Sequence, residues 1–150
     1  MRRKEKEIRD KTEIESIIKR SVVCRLAMAD GKWPYVVPLC FGYKDNALFF
    51  HSAQEGYKLE VLKKNNRVCF EFDIDRKTKP SEKPCEWAMQ YQSVIGFGRA
   101  TVLEDRESKM EGLDIIFRQY SRKNAEYPEA SLESTAVIKV DIEQMTAKRS

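Results

Sequence analysis

Apolar positions follow two periods along this chain, and the switches between them lay out its elements. Thr12-x-x-Glu15 reads as a capping box, and Ile14, Ile17 and Ile18 mark the buried side of a helix ending near Ser21. Val22–Ala29 then alternates, with Cys24, Leu26 and Met28 on one face and Arg25 on the other. Asp30-Gly31 signals a hairpin into a second strand, Trp33–Phe41. Pro34 and Pro38 on that strand have no N–H to give a ladder, so their nitrogens must face an edge, a bulge or a ligand.

Gly42–Asn46 reads as a turn and Ala47–Phe50 as a short strand buried on both faces. His51–Gly56 is a polar turn, and Tyr57–Lys64 a two-turn helix that Asn65-Asn66 stops. Val68, Phe70 and Phe72 restore strand period, ending at Asp75; Arg76–Pro84 is a polar loop. From Glu86 to Leu103 the pattern alternates again. Trp87, Met89, Tyr91, Ser93, Ile95 and Phe97 share one side, while Gly96 and Gly98 on the other permit bending or close approach. Asp105 can cap a helix carrying Met110, Leu113, Phe117 and Tyr120. Residues 122–133 read as a polar loop and Thr135–Ile142 as the last strand. Six strands with flanking helices, one of them long and glycine-kinked, suit a small closed barrel.

A chain of 150 residues fits one domain, here 12–150, behind a charged flexible segment at 1–11. No apolar run approaches the ~20 residues of a membrane span, and the basic start lacks an apolar stretch. The expectation is a cytoplasmic protein without membrane contact. Its 28 basic residues are interleaved with 24 acidic ones, a net +4, which leaves no footprint for nucleic acid. One histidine excludes a His-rich metal site, and no metal is expected. Cys24, Cys40, Cys69 and Cys85 sit singly, as reduced thiols packed like small hydrophobes, with Cys85 the exposed one.

The chemistry concentrates between His51 and Lys58. Ser52 supplies a hydroxyl, Gly56 flexibility, Lys58 a charge in the first helical turn, and the helix start its free N–H groups, a combination that attracts anions. The same residues also suit an ordinary helix cap and a solvated lysine, so the residues alone leave both readings open.

Phe50-His51-Ser52, followed by Gly56-Tyr57-Lys58-Leu59, Leu62 and Asn65, resembles the flavin-phosphate segment of the pyridoxamine 5'-phosphate oxidase superfamily. Cys24-Arg25-Leu26-Ala27, Pro34–Leu39, Phe41-Gly42-Tyr43 and Ser93–Gly98 extend the likeness over roughly residues 12–142 and point to the nitroimidazole-resistance branch. The resemblance implies a mainly β, six-stranded antiparallel Greek-key split barrel of the FMN-binding type, and a homodimer with FMN at the subunit interface. It implies an oxidoreductase passing electrons, with NAD(P)H as donor, to a small electron-poor acceptor such as a nitroaromatic. It assigns Ser52, Tyr57 and Lys58 to the phosphate, Val37, Pro38, Leu39 and Cys40 to the ring, and Ser93 to a polar flavin contact. It also places Trp87 and Tyr91 near the ring. It makes His51 both a flavin contact and the proton donor, since an imidazole can give a proton or a hydrogen bond near neutrality.

The chain also departs from the vitamin B6 oxidases. They carry an Arg-Lys pair where Tyr57-Lys58 stands, and a Lys where Cys40 stands; Arg25 is the candidate to replace the missing cation. Oxidation of pyridoxamine phosphate is therefore not expected. FAD, a deazaflavin, a flavin held without turnover, or haem on His51 or a cysteine remain the alternatives.

Overall fold

The computed structural model describes residues 4–150. Eight strands form one antiparallel sheet: β1 (Glu7–Ile8), β2 (Cys24–Ala29), β3 (Pro34–Leu39), β4 (Gly42–Lys44), β5 (Ala47–Ala53), β6 (Arg67–Lys79), β7 (Ala88–Leu103) and β8 (Thr135–Arg149). The order is β3-β2-β6-β7-β8-β5-β4, with β1 added to the far end of β8. Leu26, Phe50, Phe70, Phe72, Val94 and Ile138, from five of these strands, are all buried in one core. The sheet therefore wraps that core as a barrel. It is split between its two end strands, β3 and β4, which no pairing bridges.

Among the described residues four α-helices cover the barrel: α1 (Lys11–Arg20), α2 (Tyr57–Lys64), α3 (Arg106–Tyr120) and α4 (Glu129–Ser134). Ile17 and Ile18 of α1 enter the main core. Ile116 of α3 packs on Ala47 and Phe49, the outward side of β5, so β5 is buried on both faces as its unbroken apolar run requires. Asp105 caps α3 as expected, accepting from the Ser108 N–H at 2.8 Å.

Several expectations need correction. The cap of α1 is Asp10, which accepts from the Glu13 N–H at 2.7 Å, and Thr12 lies inside the helix. Asp10 and Glu13 have the same three-residue spacing as the expected pair, one turn's fraction earlier. Of the segment expected to be flexible, residues 1–3 lie outside the described residues. Glu7 and Ile8 pair with Lys148 and Ala147, and Ile8 is buried, because β8 runs well beyond Ile142 and offers an edge. The expected turn at 42–46 is β4 plus the two-residue turn Asp45-Asn46, both with positive φ (50° and 60°), a hairpin geometry that twists with its strands. These two short strands raise the count from six to eight. The loop expected at 76–84 begins as the outer half of β6, which pairs with β7 to Lys79 beyond a bulge at Asp75. The loop expected at 122–133 contains most of α4, whose Leu132 is buried.

The glycines of β7 permit close approach. A Cβ at Gly96 would strike the Phe70 ring, and one at Gly98 the Asp141 carbonyl oxygen. Trp87, Met89, Ile95 and Phe97 project from the other face and are exposed. No helix among the described residues is long and apolar enough to cross a membrane.

Candidate functional site

Strand β5 continues past its apolar run and carries His51, Ser52 and Ala53 into the sheet, so the polar turn before α2 is only 54–56. Helix α2 starts at Gly56, whose φ of 135° bars a side-chain-bearing residue without strain. No side chain caps this start. Ser52 is not a cap: its hydroxyl donates to the Ala53 carbonyl at 2.9 Å. The first N–H groups of α2 are thus left without a side-chain partner, beside Lys58. That lysine is half-buried, and burial alone lowers its pKa; no acid offsets the cost. A partly desolvated cation at an uncapped helix start is an arrangement completed by an anion.

Arg25 does not join it. Its guanidinium bridges Asp73 at 2.5 Å and Glu71 at 3.0 Å, on the outward face of β2 and β6. Burial, then the neighbouring Asp73, pushes the Glu71 carboxyl up, and Arg25 opposes both. The missing second cation is not replaced from this position.

Strand β3 meets the 51–57 segment at both ends without pairing to it. At one end the Tyr35 ring sits edge-on to Tyr57, with centroids 5.1 Å apart. At the other, Cys40 follows the end of β3 and lies near His51, two residues beyond the last β4–β5 pair, Gly42 opposite Phe49. The two line one cavity. Between these ends β3 shows a free edge, as its prolines require. Alternation divides the four residues expected at the ring. Val37 and Leu39 pack on the barrel core, whereas Pro38 and Cys40 face outward and are exposed. Along this edge the outward side chains are therefore those of Pro38 and Cys40, and Val37 and Leu39 offer backbone only. Cys40 is open to solvent, contrary to the expectation of a packed thiol, while Cys24 is buried and burial raises its pKa.

The cavity holding Cys40 and His51 has a volume of about 320 Å³. Leu113, Ile116 and Phe117 of α3 and Leu132 of α4 wall it. In sequence Leu113 and Phe117 showed only helical spacing, and most of α4 read as loop. The two-residue hairpin turn would have shown that Cys40 and His51 come to the same end of the hairpin. Tyr120 closes one side, its hydroxyl accepting from Phe41 N–H and donating to the Val22 carbonyl, both at 3.0 Å. His51 is exposed at the rim and points away from Ser52, its strand neighbour on the opposite face.

Ser93 lies elsewhere. His51 pairs with Val137 and Ser93 with Lys148, eleven positions apart on β8 (148 − 137), roughly 35 Å of strand. Ser93 is buried beside Asp73 and Tyr91 on the outward face. Within one chain it does not meet Ser52 or Lys58, nor does Trp87, which stands near the same end of β7. The register Val36–Ala27–Cys69–Phe97 shows that exposed Val36 and Phe97 share this outward face.

A family model described as pyridoxamine 5'-phosphate oxidase matches residues 10–149. Among solved structures, a protein from Bacteroides thetaiotaomicron VPI-5482, described as a candidate 5-nitroimidazole antibiotic resistance protein, is 38% identical. It superposes with a TM-score of 0.86, covering 95% of this chain and 86% of that one. The flavocytochrome Anf3 from Azotobacter vinelandii has a TM-score of 0.88 at 17% identity, covering 100% of this chain and 72% of that one. An FAD- and haem-binding protein from Mycobacterium smegmatis has 0.86 at 15% identity, over 97% and 73%. The last two are alike in fold. No curated protein matches.

Proposed function

The chain belongs to the pyridoxamine 5'-phosphate oxidase family, and from that premise we propose that it is an FMN-binding oxidoreductase of the nitroimidazole-resistance type, working as a homodimer on a small electron-poor acceptor. One observation carries the cofactor: Lys58, half-buried with no acid to balance it, at the uncapped start of α2. The flavin phosphate is the anion this turn suits. From there the free edge of β3 runs from Tyr35 to Cys40, five residues or roughly 17 Å, a length on the order of an extended mononucleotide. When bound, FMN supplies the electron transfer that side chains cannot, with NAD(P)H as the donor.

The chain's own part is binding and orientation. Lys58 and the α2 N–H groups hold the phosphate, with Ser52 and Tyr57 beside them. Pro38 and Cys40 flank the ring, and His51 stands where a proton can be given to a reduced acceptor. The exposed apolar side chains of Val36, Trp87, Met89, Ile95 and Phe97 form a face that a second copy would cover. Through that face Ser93 and Trp87 of one protomer reach the flavin held by the other. The cavity lining includes no Lys or Arg, so a phosphorylated vitamin B6 vitamer is a poor fit.

The visible spectrum after mixing with FMN and removing the excess tests this. Retained flavin bands at one FMN per chain, and NAD(P)H oxidation dependent on a nitroaromatic, are expected. No retained flavin, or a Soret band in its place, would overturn it. Tighter retention of FAD than FMN would correct the cofactor.

A further inference from the structure

We infer that Tyr35 and Tyr57 form the end wall of a slot along β3, and that this wall makes the slot select a mononucleotide over a dinucleotide. The inference rests on the flavin reading and adds to it the residues that set the length of the ligand. The slot lies between two free strand edges. β3 pairs only with β2, on its other side. Among the described residues, β5 is unpaired on its β4 side beyond Phe49. The two segments run antiparallel: Tyr35 meets Tyr57, and Cys40, just past the end of β3, lies near His51. A flat ligand with polar edges suits such a gap, because both edges carry backbone groups that still need partners.

One end of the slot is shut by the two tyrosines. Tyr35 packs on the barrel core, which fixes its ring. Tyr57, the first residue of α2, sets its ring edge-on against it, with centroids 5.1 Å apart. Helix α2 is not free to carry Tyr57 away. At its far end Lys64 Nζ reaches the Asp30 carboxylate at 3.5 Å, and the Asn65 amide donates to the Ala29 carbonyl at 2.8 Å. Both partners belong to the β2–β3 hairpin, so α2 is tied to that hairpin at its two ends. Lys58 directly follows Tyr57, and a phosphate held by it and by the first α2 N–H groups sits beside the tyrosine pair. A phosphate monoester ends there. A diphosphate that continues to a second nucleoside along the slot meets the two rings and has to part them.

Titration calorimetry with riboflavin, FMN and FAD tests the wall, on the full chain and on its Tyr57→Phe and Tyr57→Ala variants. The unsubstituted protein should bind FMN at least roughly fivefold more tightly than FAD, within the range that parting an aromatic pair corresponds to. Tyr57→Phe keeps the ring and should keep this ratio. Tyr57→Ala removes the ring at a position that is 44% exposed, where truncation leaves no buried cavity. It should raise FAD affinity relative to FMN until the two lie within about twofold. Equal affinities for FMN and FAD in the unsubstituted protein, or a ratio that Tyr57→Ala leaves unchanged, would overturn the inference. Loss of the ratio in Tyr57→Phe would overturn it too, because selection would then lie with the hydroxyl. Failure of all three flavins to bind would strike the flavin reading itself and the wall with it, whereas FMN bound without preference over FAD strikes the wall alone.

Discussion

Replacing Lys58 with Met keeps the side chain's apolar stem and removes its charge. In the flavin-free protein that charge is half-buried and uncompensated, so its removal should leave the urea midpoint unchanged or raise it, with no change in slope. FMN binding should move the other way. A charge-assisted hydrogen bond contributes about 1.5–3 kcal/mol, which predicts a roughly 10- to 150-fold weaker Kd, at about 1.4 kcal/mol per tenfold. Riboflavin lacks the phosphate, and its affinity should be the same for both proteins. Fluorescence quenching of the two flavins measures all four constants. The pH dependence follows from the same burial. Lys58 has a folded pKa below its unfolded one, so between the two the unfolded chain binds more protons and the stability of the flavin-free protein rises with pH. Below that window the burial penalty is fully present. A bound phosphate favours the protonated amine, so FMN affinity should fall as pH climbs through the depressed value. Unchanged FMN affinity in Lys58→Met, or an equal loss for riboflavin, would refute the phosphate assignment.

Two further substitutions separate the site from its scaffold. Arg25→Met leaves Glu71 and Asp73 facing each other without their shared cation. Stability should fall by about 1 kcal/mol at neutral pH, the upper range for a solvent-screened pair, and by less at pH values where the carboxylates protonate. FMN affinity should stay within about twofold, because the energy of an already paired guanidinium is not available to the phosphate; a large loss in an equilibrium flavin titration would restore Arg25 to the site. Gly98→Ala forces a Cβ into the Asp141 carbonyl, a backbone atom that cannot swing aside. Urea unfolding should show a loss of about 1–3 kcal/mol from overpacking, and no loss would mean that β7 and β8 separate there without cost.

How much of this was legible in the residues depended on which period they obeyed. Leu26, Phe70 and Phe72 lie where alternation put them, because a barrel interior admits only one face of each of their strands. Helix α2 has the predicted bounds, since Gly56 and Asn65 punctuate it. Polar residues at strand ends were misread. His51, Ser52, Arg76, Lys77, Thr78 and Lys79 lie in strands although their composition suggests loops. There the hydrogen-bond ladder of a neighbouring strand outweighs local preference, and a single sequence does not show which neighbour it has.

The site repeats this at finer scale. Alternation divides the Val37 to Cys40 set: Val37 and Leu39 face the core, so only their backbone lies along the free edge. The proximity of Cys40 and His51 needed only the recognition that Asp45-Asn46 alone is the turn. A two-residue loop fixes the register, Lys44 opposite Ala47 and Gly42 opposite Phe49, which brings Cys40 and His51 to the same end of the hairpin. The α3 wall carried no comparable signal. Leu113 and Phe117 have helical spacing whether they meet a filled core or an open cavity, and the difference is set by α4, whose placement depends on where β8 begins. The anion-attracting turn was therefore visible as chemistry, whereas the cavity beside it exists only once the strands are in register. That order explains why Lys58 can be tested from sequence alone, while any claim about the acceptor rests on the geometry around His51.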